Sequence, residues 1–138
     1  MKKVSSCILL VLCSFTGFAQ DTLAMPSKPV FTDVIYTGGT TDDLHNYINN
    51  NFNYNNVKKT DVPKTNKKQS FFVFYVSFTI NEEGVPFDFS PEDIAKDNSF
   101  YIEAVRVIAS TRWQFATENG AYKKQYVVIP VKASTNEL

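Results

Sequence analysis

The ten residues Phe71–Ile80, FFVFYVSFTI, constrain the fold of this chain more than any other stretch. Phe72, Phe74, Val76, Phe78 and Ile80 are all large and apolar, while the intervening positions pass from Phe71 through Val73 and Tyr75 to Ser77 and Thr79. A period of two with one wholly apolar side predicts a strand buried on that side, because successive side chains of an extended chain point to opposite faces. Such a strand needs partners along its edges and a cover over its apolar face. Asn81-Glu82-Glu83-Gly84 predicts a turn, with Gly84 free to take a positive φ. Val85, Phe87 and Phe89 then alternate with Pro86, Asp88 and Ser90, which predicts a hairpin partner. Pro86 lacks an amide proton and puts that partner at an edge or makes it irregular near its start.

Two helical patterns supply the cover. Thr40 with Asp43 three residues on predicts a capped helix start, and Leu44, Tyr47, Ile48 and Phe52 form one apolar stripe. Asn49, Asn50 and Asn51 are poor helix formers, so this helix frays near Phe52 and needs a sheet to lie on. Asn98 or Ser99 predicts the cap of a second helix, with Tyr101, Ala104, Val105, Ile108 and Thr111 on its inner face. Trp113 follows where that pattern ends. Glu118-Asn119-Gly120 predicts a turn, and Tyr122 to Ala133 a last strand whose Pro130 again favours an edge. The order helix, strand, strand, helix, strand makes this an α+β chain. Its architecture is a two-layer sandwich of a three-stranded antiparallel sheet and two helices. Val30 to Tyr36 reads either as a brief edge strand or as a segment lying on the domain. Residues 57–70 carry Lys58, Lys59, Lys64, Lys67 and Lys68 and read as a solvated connecting loop with room for mobility.

The first nineteen residues have the make-up of a secretory leader: Lys2 and Lys3, an apolar run around Ile8 to Leu12, then small residues at Gly17 and Ala19. From Val4 to Ala19 the run is shorter than the ~20 residues a membrane-crossing helix needs. Both cysteines, Cys7 and Cys13, fall inside it, so the mature chain has no disulfide. The expected layout is a leader at 1–19, a flexible lead-in at 20–34, a domain at 35–133 and a tail at 134–138. Removing Lys2 and Lys3 from 14 basic residues leaves 12 against 14 acidic ones, a net charge of −2. That balance gives no reason to expect nucleic acid or an anionic membrane as partner, and no stable membrane insertion is expected after cleavage.

Catalytic chemistry is thinly represented. His45 is the single histidine, on the first helix beside Leu44 and Ile48. A metal site there would need carboxylates such as Asp42, and general-base work would need a partner that the sequence does not place beside it. Glu82, Glu83, Glu92 and Asp93 lie in a turn and a polar link, where a surface role suits them better than acid–base work. Gly38-Gly39 lacks the spaced glycines and the lysine of a phosphate loop. Neither an enzyme nor a cofactor or metal is expected.

Several short motifs recur here in a familiar order: Tyr36-Thr37-Gly38-Gly39, a helix ending near Phe52 and Tyr54, Val76-x-Phe78-x-Ile80 with Glu83-Gly84, Glu103-Ala104-Val105-Arg106, Trp113, Gly120 and Ile129-Pro130-Val131. Together, over Ile35 to Ala133, they resemble the C-terminal domain of TonB in its Bacteroidetes-type form. The chain departs from that pattern at Thr37, Asn55, Thr111 and Phe115, where the family has prolines, and in its lysine-rich loop. The resemblance implies a periplasmic or secreted domain that binds an extended peptide, such as a segment of an outer-membrane transporter, by adding it as a strand to a sheet edge. The implied edge runs from Tyr122 to Ile129, with Tyr122, Lys124, Tyr126 and Val128 on it and Trp113 nearby. Only some fifteen residues separate the leader from Tyr36, so a force-transmitting role across the periplasm is not expected. The alternatives are a homodimer formed through that edge and a hydrolase using His45 with a carboxylate.

Overall fold

A computed structural model describes residues 31–138; the expected leader and most of the lead-in lie outside the described residues. The chain runs β1 (Phe31–Thr32), β2 (Ile35–Tyr36), α1 (Thr41–Asn51), three single 3₁₀ turns between Tyr54 and Asn66, β3 (Phe71–Ile80) and β4 (Pro86–Pro91). It continues through α2 (Ser99–Ala109), β5 (Trp113–Gln114), β6 (Thr117–Glu118), β7 (Ala121–Tyr122) and β8 (Tyr126–Ser134). β3 is the middle of an antiparallel three-stranded sheet, with β4 on one side and β8 on the other. The fold is α+β, and its principal elements are α1, β3, β4, α2 and β8. Five two-residue strands complete it, and two of them, β1 and β2, lie in the Val30–Tyr36 segment for which a brief edge strand is one of the two readings: β1 pairs β6, β6 pairs β7, and β2 pairs β5. Among the described residues pairing thus starts at Phe31, inside the segment expected as a flexible lead-in.

The alternation in β3 sets the core. Phe72, Phe74, Val76, Phe78 and Ile80 are all buried, and Phe74 and Phe78 completely so. Full burial of each contributes roughly 1.5–3 kcal/mol. Leu44 and Ile48 of α1 and Phe100, Ala104, Val107 and Ile108 of α2 belong to the same core. The inner face of α2 is broader than expected. Tyr101, Ala104 and Ile108, with Thr111 just beyond the helix, are buried as expected. Phe100 and Val107 join them while Val105 is only partly buried, because a helix beginning at Ser99 turns Phe100, Ala104 and Val107 inward together.

Both helix starts are built as the sequence indicates. Thr40 Oγ1 accepts the Asp43 amide, and Asp43 accepts the Thr40 amide at 2.7 Å; that backbone bond holds the Asp43 carboxyl below its ordinary value. Asn98 caps α2 by accepting the Phe100 amide. The lysine-rich segment departs from the expected free loop. Asp61 accepts the Ser99 amide at 2.9 Å, Asn98 donates to the Asp61 carbonyl, the Lys58 amide donates to Ser99 Oγ, and Val62 is buried. The loop is therefore pinned to the start of α2, where a carboxylate also meets the helix's unpaired amides.

The last strand is the main correction. Tyr122 lies on β7 and not on β8, and residues 123–125 belong to neither. Asn119 and Gly120 take φ of 51° and 80° between β6 and β7, the pair of positive dihedrals that a tight hairpin demands. The Tyr122 hydroxyl then donates to the Ile80 carbonyl at 2.6 Å, and the Lys123 amide donates to the Ala116 carbonyl. These bonds hold the chain away from the main sheet until Tyr126. Among the described residues no helix is long and apolar enough to cross a membrane.

Candidate peptide-binding edge

The hydrogen bonds of Tyr75 fix which groups β8 turns outward. The Tyr75 amide donates to Asp93 Oδ1 and its carbonyl accepts from the Glu92 amide, so both Tyr75 groups face the β4 side. Its β8 partner, Pro130, therefore points its own nitrogen and carbonyl away from β3, since opposite residues of an antiparallel pair either exchange both bonds or neither. The same parity turns Tyr126, Val128, Lys132 and Ser134 outward. Ser134 confirms it, because its amide donates to the Tyr54 hydroxyl at 2.8 Å rather than to β3. Val127, Ile129, Val131 and Ala133 face inward to the ladder. Among the described residues, β3 is the only strand paired with β8. From Tyr126 to Lys132 its far side is an open row with amides at Tyr126, Val128 and Lys132 and a carbonyl without an amide at Pro130.

A groove of about 490 Å³ runs beside this row, bounded by Val34–Tyr36, Gly39–Thr41, Leu44 and His45 on one side and by Val127–Pro130 on the other. Its base is apolar, since Leu44 and Trp113 are buried. Trp113 is held by four contacts: its ring nitrogen donates to Thr111 Oγ1 at 2.7 Å, its ring meets Tyr36 and Phe78, and its amide donates to the Gly84 carbonyl. Burial raises the Tyr36 hydroxyl pKa, so the phenol stays neutral. A smaller cavity of about 360 Å³ continues past His45, Ile48 and Asn49 to Pro130 and Lys132.

Of the residues expected at the edge, Tyr126 and Val128 are on it, with relative exposures of 63% and 54%. Lys124 precedes the strand, its ammonium 5.6 Å from the centre of the Tyr126 ring. Tyr122 is committed to the Ile80 carbonyl, and Trp113 contributes from beneath, as buried floor. The sequence pattern did not mark Val34, Leu44 and Pro130 as groove residues, nor Tyr54 as the cap of the row's end. The signal for Pro130 was present in the alternation of β8, where it shares a side with Val128 and Lys132.

Glu103, from the Glu103-Ala104-Val105-Arg106 motif, has a structural role here. It is 3% exposed and accepts from the Asn53 amide, Asn56 Nδ2 and the Arg106 guanidinium, tying the end of α1 to α2. Burial pushes its carboxyl up, but these hydrogen bonds outweigh burial and hold it below the ordinary range. Among the described residues, no three His, Cys, Asp or Glu side chains gather to hold a metal ion. Compared with known proteins, the chain matches no family model, no curated protein and no solved structure.

Proposed function

We propose that this chain is a non-enzymatic binding domain of the cell envelope or exterior that captures an extended peptide segment of another protein as a fourth strand on β8. The observation that carries this reading is the open row of main-chain groups at Tyr126, Val128 and Lys132 beside an apolar groove. A captured strand would bond to that row through its backbone and place alternate side chains over Leu44 and Trp113. Such binding demands extended conformation more than a particular sequence. The order of motifs that resembles the TonB C-terminal domain supports the same mode, and places Ile129-Pro130-Val131 on the capturing strand. A segment of an outer-membrane transporter is the partner that the resemblance favours.

Val128→Pro tests the reading. Its amide faces away from β3, so the substitution removes no bond of the β3–β8 ladder and only closes the open row. Peptides selected on the wild-type protein from a random phage-displayed library provide the probe. Binding should be lost while far-ultraviolet circular dichroism stays unchanged; full affinity in the variant would refute the edge as the site. Light scattering over a range of concentrations separates the homodimer, since a mass that doubles on concentration in the wild type but not in the variant would give the edge to a second copy.

A further inference from the structure

The lysine-rich loop is where charge is least evenly spread. Residues 57–70 carry five lysines against the single carboxylate of Asp61, in a chain with 14 basic and 14 acidic residues overall. Asp61 is spent elsewhere, since it accepts the Ser99 amide at the start of α2. Like charges in one short segment repel, and a freely solvated loop would let them move apart. This loop is anchored instead. The bonds of Asp61, Asn98 and Lys58 fix its first half to α2, and in its second half Asn66 Nδ2 donates to Gln69 Oε1 at 2.8 Å. The tail of the chain closes on it: the Thr135 amide donates to the Ser70 carbonyl at 2.9 Å and the Thr135 hydroxyl to the Gln69 carbonyl.

A cavity of about 600 Å³ lies between loop and tail. Lys59, Lys67 and Lys68 all line it, and all three are exposed, so an incoming anion can reach them. No side-chain carboxylate lines it, and among the described residues none of the three lysines forms an ion pair. Even with a terminal carboxylate of Leu138 set against three ammonium groups, the lining keeps a charge of at least +2. The space is of the size that holds a small organic molecule. Lysine offers a compact charge with three rotatable donors, which suits a tetrahedral oxyanion. Flat carboxylates are better served by an arginine fork, and residues 57–70 contain no arginine. Among the lining residues none is aromatic, so a nucleobase would have nothing to stack on. One phosphate alone would fill only a fraction of the space.

We infer that loop and tail form a binding site for a small compound bearing two or more phosphate groups. Lys59, Lys67 and Lys68 bond the phosphate oxygens, and Ser70 and Asn136, which line the same cavity, meet the rest of the molecule. A bound polyanion offsets the mutual repulsion of three lysines that the anchors hold together. The site lies where β3 begins and β8 ends, past the Ser134 amide that Tyr54 accepts. It is thus separate from the peptide edge and does not depend on it. The phosphates can belong to a soluble compound or to a lipid headgroup, and the chemistry at the cavity is the same.

Calorimetric titration of the purified chain with inorganic pyrophosphate, at fixed ionic strength, tests the site. Saturable binding is expected. Lys59→Gln, Lys67→Gln and Lys68→Gln should each weaken it about fivefold, the upper end of what one exposed ion pair contributes, and the triple variant about a hundredfold. Lys64 belongs to the same loop but does not line the cavity, so Lys64→Gln should stay within about twofold of wild type. Lys68→Arg keeps the charge and should lose less than Lys68→Gln. In ¹⁵N spectra the amides that shift should be those of residues 59–70 and 135–138, with Val128 unmoved. Sedimentation with phosphatidylcholine vesicles, with and without phosphatidic acid, separates the two sources. Pelleting with phosphatidic acid that pyrophosphate reverses assigns the cavity to a headgroup, and pyrophosphate binding without pelleting assigns it to a soluble compound. No saturable binding of pyrophosphate, or a loss in Lys64→Gln equal to that in Lys67→Gln, would overturn the site.

Discussion

The two sides of the central sheet manage their unpaired backbone in opposite ways. β4 is six residues long, bulged where Asp88 takes φ of 55°, and pairs only with the Val76–Ile80 half of β3. The parity that sends Tyr75 toward β4 sends Val76 and Ile80 toward β8, so their β4 partners Pro91 and Pro86 face the outer side. Both are residues with no amide to offer. Where β4 has ended, the Asp93 carboxylate takes the Tyr75 amide. A short strand, a bulge and outward prolines are devices that stop a sheet from acquiring a further strand. β8 has nine residues and only one proline among its outward positions, and its row is capped by Tyr54 only at Ser134. One chain thus blunts one edge and leaves the other serviceable, so the opening on β8 cannot be put down to general neglect of edges.

The contrast is broken most directly by giving β8 the defence that β4 already has. Val128→Pro should lower affinity for a library-selected peptide by about a hundredfold, the equivalent of losing a donor and admitting a steric clash at the centre of the row. The reverse exchange, Pro86→Ala with Pro91→Ala, gives β4 back two amides but leaves the Asp88 bulge in place. No second binding site should appear in titration calorimetry. A second site of comparable affinity would mean that prolines alone, and not length and bulge, distinguish the edges.

A next test concerns the link between the sides. Gly84, in the β3–β4 turn, has φ of 76°, and a Cβ there would lie 2.2 Å from the Trp113 carbonyl oxygen. Gly84→Ala should cost about 3 kcal/mol in urea unfolding, through left-handed strain together with displacement of β5. Since Trp113 forms the groove floor, peptide affinity should fall as well. A variant that loses stability while binding normally would show that the groove does not depend on the turn on the opposite side of the sheet.

Much of this framework was legible in the sequence because it rests on local patterns. The alternation of Phe71–Ile80, the Thr40–Asp43 cap and the Gly84 turn each depend on neighbours within a few positions, and the structure contains all three. What escaped was long-range. The bonds from Asp61 to Ser99, from Glu103 to Asn53 and from Tyr122 to Ile80 join residues roughly forty to fifty apart, and no periodicity encodes them. The start of β8 was misplaced for the same reason, since an apparently continuous strand from Tyr122 is broken by a distant carbonyl that claims the Tyr122 hydroxyl. The open edge was anticipated in outline, but its outward residues required the Tyr75 bonds, because alternation gives faces of a sheet and not directions of its amides.

Tyr54 offers a smaller, sharper probe of where the serviceable row ends. Tyr54→Phe removes the hydroxyl that accepts the Ser134 amide and should destabilise the fold by about 1 kcal/mol. The Ser134 amide should then exchange with solvent faster in hydrogen-exchange measurements, while the amides of Val127 and Val131, which face β3, keep their protection. Equal loss of protection along β8 would mean that Tyr54 supports the whole strand and not merely its outer end.

The smallest effect at neutral pH separates the open row, which consists of main-chain groups, from the charged contacts that support it. Hydrogen bonds from Ser99 hold Asp61 below the ordinary carboxylate range, and those from Arg106, Asn56 and Asn53 do so for Glu103 against the opposing push of burial. Unfolded, these groups titrate near the usual ~3.9 and ~4.3. With folded values lower than unfolded ones, the unfolded chain binds more protons as pH falls. The stabilisation from both groups is therefore complete above about pH 5 and is lost as pH drops through their depressed folded values. Between about pH 5 and 8 stability should thus draw no pH dependence from this pair. Below about pH 4 stability should fall, and the fall should be shallower in Asp61→Asn and Glu103→Gln, which have no carboxylate to protonate. Urea midpoints across both ranges measure the plateau and the fall. A fall of the same slope in both variants as in the wild type would mean that neither carboxylate carries the acid sensitivity.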